Sequence, residues 1–96
     1  MISIKVKYFA YIRSLVRGEK EESISLSKGK TLKDLLETLS ERYGEKFAKA
    51  VFNNETNREG LSESIIILVN GKSVQNIDHE LKDGDKVSIM PFLSGG

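Results

Sequence analysis

At 96 residues the chain is sized for one domain with one core, since area scaling lets a chain this long bury about 65% of its unfolded surface. Its 15 Lys and Arg against 14 Asp and Glu leave a net charge of +1, which argues against a nucleic-acid binder working by phosphate neutralisation. With no cysteine and His79 as its one histidine, the chain is excluded from disulfide frameworks, thiol nucleophiles, CxxC redox pairs, cysteine zinc sites and three-His metal sites.

Residues 2–8 alternate Ile2, Ile4, Val6 and Tyr8 with Ser3, Lys5 and Lys7, the period-2 pattern of a strand with one dry and one wet face. Lys5, Lys7 and Arg13 also interrupt any apolar h-region at the amino terminus, and no run is long enough to span a bilayer, so a cytoplasmic protein without membrane contact is expected. From Ala10 the period changes. Ile12, Leu15 and Val16 predict a short helix, with Gly18 placed for a left-handed end. Glu19 to Glu22 reads as a solvated connection, and Glu22 to Leu26 alternates again as a second strand.

Thr31 is a candidate N-cap, and Asp34, three residues on, completes an approximate capping box. Leu32, Leu35, Leu36, Leu39 and Tyr43 then predict an amphipathic helix of about three turns, stopped by Gly44. Phe47, Ala48, Val51 and Phe52 predict a second helical piece, and the polar stretch 53–64 a mobile surface loop. Ile65 to Val69, a continuous apolar run, reads as a strand buried on both faces, followed by an Asn70-Gly71 hairpin turn and a return strand starting at Ser73-Val74. A turn at 82–85 precedes the last strand, Val87 to Met90, which Pro91 is expected to stop.

Several apparent motifs carry no chemistry. Gly71-Lys72-Ser73 resembles the end of a phosphate-binding loop, but Ile66 stands where the earlier glycine is required, so a hairpin explains it better. Asn54-Glu55-Thr56 is a glycosylation sequon with no signal peptide ahead of it. His79 reads as a solvated turn residue, and Asp83 and Asp85 around Gly84 are too few oxygens for a calcium site.

A sheet of four or five strands with one main helix across one face is an α+β arrangement. The segments 8–15 (YFAYIRSL), 68–71 (LVNG), 81–87 (LKDGDKV) and the ending MPFLSGG resemble the MoaD/ThiS family of β-grasp sulfur carriers, on the molybdopterin synthase small-subunit side of that family. The resemblance runs the whole chain. It implies a single β-grasp (ubiquitin-like) domain over residues 1–96, with a mixed sheet and a flexible Gly-Gly tail from about residue 92. Two features depart from the compact bacterial pattern: a longer 44–64 segment, and an ending shared with small archaeal modifier proteins of the same fold.

The resemblance further implies that a ubiquitin-activating-type adenylyltransferase (MoeB/ThiF-like) uses ATP to adenylate Gly96, and that a sulfur donor then converts it to a thiocarboxylate. That group would serve a large, MoaE-like molybdopterin synthase subunit in a heterotetramer. Gly95 would keep the end slender, since a residue without Cβ passes a narrow channel, and five extended residues reach at most roughly 17 Å. Lack of cysteine is compatible with sulfur carried at the main-chain end. Catalytic groups would belong to the partners, and this chain would bind no cofactor or metal. Phe9, Met90, Phe92 and Leu93 are candidates for an apolar docking patch with Arg13 at its rim, Phe9 and Met90 serving equally well as core. A modifier joined to lysines through Gly96, a carrier for thiazole or tRNA thiolation, and a β-grasp interaction module without covalent chemistry remain the alternatives.

Overall fold

The computed structural model describes residues 1–53 and 60–92. β1 (Ile2–Tyr8) buries Ile2, Ile4, Val6 and Tyr8 and exposes Ser3, Lys5 and Lys7, as side chains alternating across a strand must when only one face is covered. A left-handed Ala10, φ 53°, turns the chain off the sheet into α1 (Ile12–Leu15). Gly18, φ 80°, closes that turn by donating its N–H to the Arg13 carbonyl at 2.8 Å. β2 (Glu21–Leu26) returns antiparallel to β1, pairing Ile2 with Leu26 through Lys7 with Glu21.

The capping box at the start of α2 (Leu32–Tyr43) is fully made. The Asp34 amide donates to Thr31 Oγ1 at 3.3 Å, and Asp34 Oδ2 accepts from the Thr31 amide at 2.8 Å. These bonds hold the Asp34 carboxyl below its ordinary pKa, the backbone bond from Thr31 first among the causes. The next free amides of the helix are taken by main-chain carbonyls, Leu32 by His79 at 2.9 Å and Lys33 by Ile77 at 2.8 Å. Half-buried His79 therefore acts through its backbone rather than as the solvated turn residue expected. Thr31→Ala is expected to cost about 1 kcal/mol, read as a lower urea midpoint at unchanged m-value.

Leu32, Leu35, Leu36 and Leu39 point down from α2 onto the sheet, joined by Phe47, Ala48 and Val51 of α3 (Glu45–Val51). Gly44, φ 99°, separates the two helices in a backbone region that side chains rarely adopt. The expectation of a loop for 54–59 lies outside the described residues. On either side of it the chain is tied down: Phe52 bridges Leu61, and the Asn53 amide donates to the Gly60 carbonyl at 2.9 Å.

β3 (Ile65–Val69), β4 (Lys72–Ser73) and β5 (Lys86–Pro91) complete a five-stranded sheet in the order β2-β1-β5-β3-β4. β1 and β5 pair in parallel at its centre, and every other pair is antiparallel. Asn70 and Gly71 take φ 53° and 84°, the two left-handed positions of a type I′ hairpin, which is why this dipeptide stands there. This mixed sheet grasping one long helix is the β-grasp arrangement. Among the described residues no helix is long and apolar enough to cross a membrane.

Three local expectations are corrected. β3 is not buried on both faces: Ile65, Ile67 and Val69 are buried, whereas Ile66 and Leu68 are half-buried, because the helices cover one side of the sheet. The return strand is only Lys72–Ser73. β5 runs through Pro91, which pairs with Ile65. Phe92 donates its amide to Ser64 on the β3 side at 2.8 Å, so by alternation the nitrogen of Pro91 faces β1, whose pairing has already ended at Tyr8. A proline costs no ladder bond there.

Candidate functional site

The end of β5 is where the described chain approaches its carboxyl terminus, so the surroundings of Met90 to Phe92 define the candidate site. Phe9 donates its amide to the Ile89 carbonyl at 3.1 Å, the last bond between β1 and β5 before Ala10 diverts the chain. Arg13, on α1, donates from Nε to the Tyr8 carbonyl at 2.9 Å and lies over the Phe9 ring, 6.0 Å from its centroid. That contact falls in the cation–π range and fixes Phe9 and Arg13 relative to one another.

Strand alternation decides which side chains share the uncovered face. Val87 and Ile89 are buried under the helices; Lys86, Ser88 and Met90 point the other way. Ile66 stands opposite Met90, and Leu68 opposite Ser88. Phe92, two residues beyond Met90, is 53% exposed. Ile66, Leu68 and Met90 thus form an apolar area leading to Phe92 at the chain's exit, with half-buried Phe9 one register step beyond the Tyr8–Ile89 pair. Large apolar side chains kept in contact with water at one place mark an interaction surface more often than chance exposure does.

The structure therefore brings Phe9, Arg13, Met90 and Phe92 to one end of the sheet. None of the four belongs to the fully buried core. Leu93, Gly95 and Gly96 lie outside the described residues. Sequence reasoning missed Ile66 and Leu68, having placed them inside a strand covered on both sides. The signal was present: an unbroken apolar run in a sheet with a single helix layer must turn half its side chains outward.

Behind this face, one acid organises the core margin. Glu22, expected in a solvated connection, is half-buried and accepts hydrogen bonds from three side chains. The Tyr8 hydroxyl donates to Oε2 at 2.9 Å, the Tyr43 hydroxyl donates to the same oxygen, and Arg42 reaches Oε1 at 2.6 Å. Tyr8 ionises far above its ordinary range, first because burial disfavours the phenolate and then because Glu22 accepts its proton. Tyr43 is raised for the same two reasons, and Arg17 lies 5.7 Å from its ring centroid.

The turn acids are structural too. Asp85 Oδ1 accepts from Asn70 Nδ2 at 2.9 Å and Oδ2 from the Lys82 amide at 2.8 Å, while Asp83 Oδ1 accepts from the Ser3 amide at 2.7 Å. The groove beside Asp85, lined by Val69, Val74 and His79, lies at the start of β5, the opposite end from Phe92.

A model of the ThiS family matches residues 6–96. Over 96 residues the chain is 32% identical to the molybdopterin synthase sulfur carrier subunit of Chlamydomonas reinhardtii, spanning 99% of this chain and 100% of that protein. A solved structure from Pyrococcus furiosus, described as molybdopterin converting factor subunit 1, is 42% identical at a TM-score of 0.78, covering 97% of this chain and 100% of that one. The small archaeal modifier protein 1 of Methanosarcina acetivorans is 31% identical at a TM-score of 0.79, covering 100% and 98%. Since the family match takes in all but the first five residues of the chain, the chain belongs to the ThiS family, carried on the β-grasp fold.

Proposed function

We propose that this chain is the sulfur-carrier small subunit of a molybdopterin synthase. The observation that carries the reading is the coincidence of two features at one end of the sheet: an apolar area of Ile66, Leu68 and Met90, and the departure of the chain from β5 beside it at Phe92. A large subunit seated on that area, with Phe9, Phe92 and Leu93 contributing and Arg13 at the rim, receives the residues that follow. The sulfur-carrier subunit from Chlamydomonas reinhardtii, similar over nearly the whole chain, supports the same assignment.

The chemistry follows from the terminal group. A free α-carboxylate, with pKa about 3.5, is an anion at neutral pH and a poor acyl donor. An adenylyltransferase of the ubiquitin-activating type overcomes this by letting the Gly96 carboxylate attack the α-phosphorus of ATP, expelling pyrophosphate. The terminal sulfur of a donor-protein persulfide then attacks the acyl carbon and AMP leaves; a second thiol of the donor cleaves the resulting acyl disulfide, forming a disulfide on the donor and releasing the thiocarboxylate. Gly95 keeps the approach narrow. The thiocarboxylate delivers its sulfur to a pterin precursor inside the large subunit, and hydrolysis restores the carboxylate. ATP is thus spent on the partner, this chain holds no cofactor, and two small with two large subunits make the assembly.

A modifier role is the second reading, favoured by the similarity to the Methanosarcina acetivorans protein. Intact-mass measurement on protein taken from its own cells separates the two. The carrier reading expects a population in which one oxygen at Gly96 is replaced by sulfur, discharged when the pterin precursor and large subunit are added. Gly-Gly remnants on lysines of other cellular proteins, with no sulfur-bearing form, overturn it.

A further inference from the structure

The uncovered face of the sheet has a second half. Lys5 and Lys86 stand side by side on the parallel β1–β5 pair, and Lys7 lies one step along on the same face. Neighbouring strands run about 4.8 Å apart, so these ammonium groups share a small area of the sheet. Two acids border them. Glu21 Oε2 is 3.7 Å from Lys5 Nζ, both side chains about half exposed, and also stands opposite Lys7 in the β1–β2 register. Asp83 lies at the far margin, engaged with the Ser3 amide. Lys7 and Lys86 form no ion pair among the described residues.

Like charges directly opposed on a sheet are destabilising, so the Lys5–Lys86 pairing costs the fold stability, and Glu21 at the β2 side offsets it only for Lys5 and Lys7. It adjoins the apolar area in the next rows of the same face: Lys7 pairs with Ser88, and Ser88 with Leu68. A chain of net charge +1 that gathers three lysines beside its docking area is built for a partner surface of opposite sign. We infer that the large subunit docking on Ile66, Leu68 and Met90 presents an acidic strip to Lys5, Lys7 and Lys86, and that this pairing steers the encounter. The inference rests on the carrier reading above. A protein partner fits better than nucleic acid, because a three-lysine strip already holding one acid neutralises too few phosphates for useful affinity.

Stopped-flow association of the chain with the large synthase subunit of its own organism tests this at about 20 mM and about 500 mM salt, where screening differs widely. For Lys7→Glu/Lys86→Glu the association rate at low salt is expected to fall about tenfold or more, its salt dependence to flatten, and the dissociation rate to stay within about twofold. Lys7→Arg/Lys86→Arg keeps the parent rate, and Lys7→Gln/Lys86→Gln falls between. Charge-reversed protein that associates as fast as the parent at low salt, or a parent rate indifferent to salt, overturns the inference alone. Parent protein that forms no complex with that subunit overturns the carrier reading and this inference with it. Salt-sensitive binding of single-stranded RNA, abolished by the reversal while subunit association is untouched, reassigns the strip to nucleic acid.

Discussion

Removing Gly95 and Gly96 is expected to abolish sulfur transfer to the pterin precursor while leaving the melting temperature within about 2 °C of the parent, because the core and the strand pairing of the described residues are complete before them. The last fully buried core residue among the described ones is Ile89, and the last pairing of β5 is Pro91 with Ile65. The apolar area proposed to receive the large subunit is likewise complete by Phe92. Truncation therefore removes the acyl carbon and leaves the fold and the docking surface. Association of the truncated chain with the large subunit, measured by calorimetry, is expected to weaken without vanishing. Blocking Gly96 as its amide gives a sharper comparison, since it changes the reacting group and nothing else. Sulfur transfer surviving either change rules out the main-chain end as the reacting position.

Glu22→Ala is expected to destabilise the protein by about 3 kcal/mol, lowering the melting temperature by more than about 10 °C. The substitution removes the acceptor of three donors from β1 and α2. Its largest consequence falls on Tyr8, whose side chain is fully buried and whose hydroxyl is left without its partner. Arg42 contributes less, because its half-exposed guanidinium regains water. Glu22→Gln keeps an acceptor in place and is expected to cost about half as much. Thermal and urea unfolding at neutral pH measure both, and a loss below about 1 kcal/mol for Glu22→Ala contradicts the structural role.

The same cluster sets a pH dependence. Tyr8 and Tyr43 both ionise above the ordinary tyrosine range in the folded protein. Their stabilising contribution is therefore complete below about pH 10, where the unfolded chain keeps its phenols neutral, and is lost as pH rises beyond it. The alkaline limb should fall by at most about 1.4 kcal/mol per pH unit through Tyr8, with Tyr43 adding in the same direction, and Tyr8→Phe should remove the first contribution.

What was legible in the sequence was whatever depends on residues close together in the chain. Thr31 and Asp34 form their capping box within one turn, Asn70-Gly71 specify a hairpin by their own backbone freedom, and Leu32 to Leu39 declare a buried helix stripe by spacing. The proposed reacting position, Gly96, was legible only through likeness to a family, because no periodicity marks a carboxyl group as reactive.

Tertiary structure decided the rest. Glu22 looked like one more charge in a polar connection, since its three partners lie 14, 20 and 21 residues away. Ile66 and Leu68 looked like core because an apolar run does not say how many layers cover the sheet it joins. Pro91 looked like a stop because the sequence does not show that β1 has ended by the row its nitrogen faces. Local propensity and spacing determined the elements of this protein and their order. Which faces met, and hence which apolar and charged side chains were left uncovered, was set by one helix layer closing over one side of the sheet, a choice made between residues far apart in the chain.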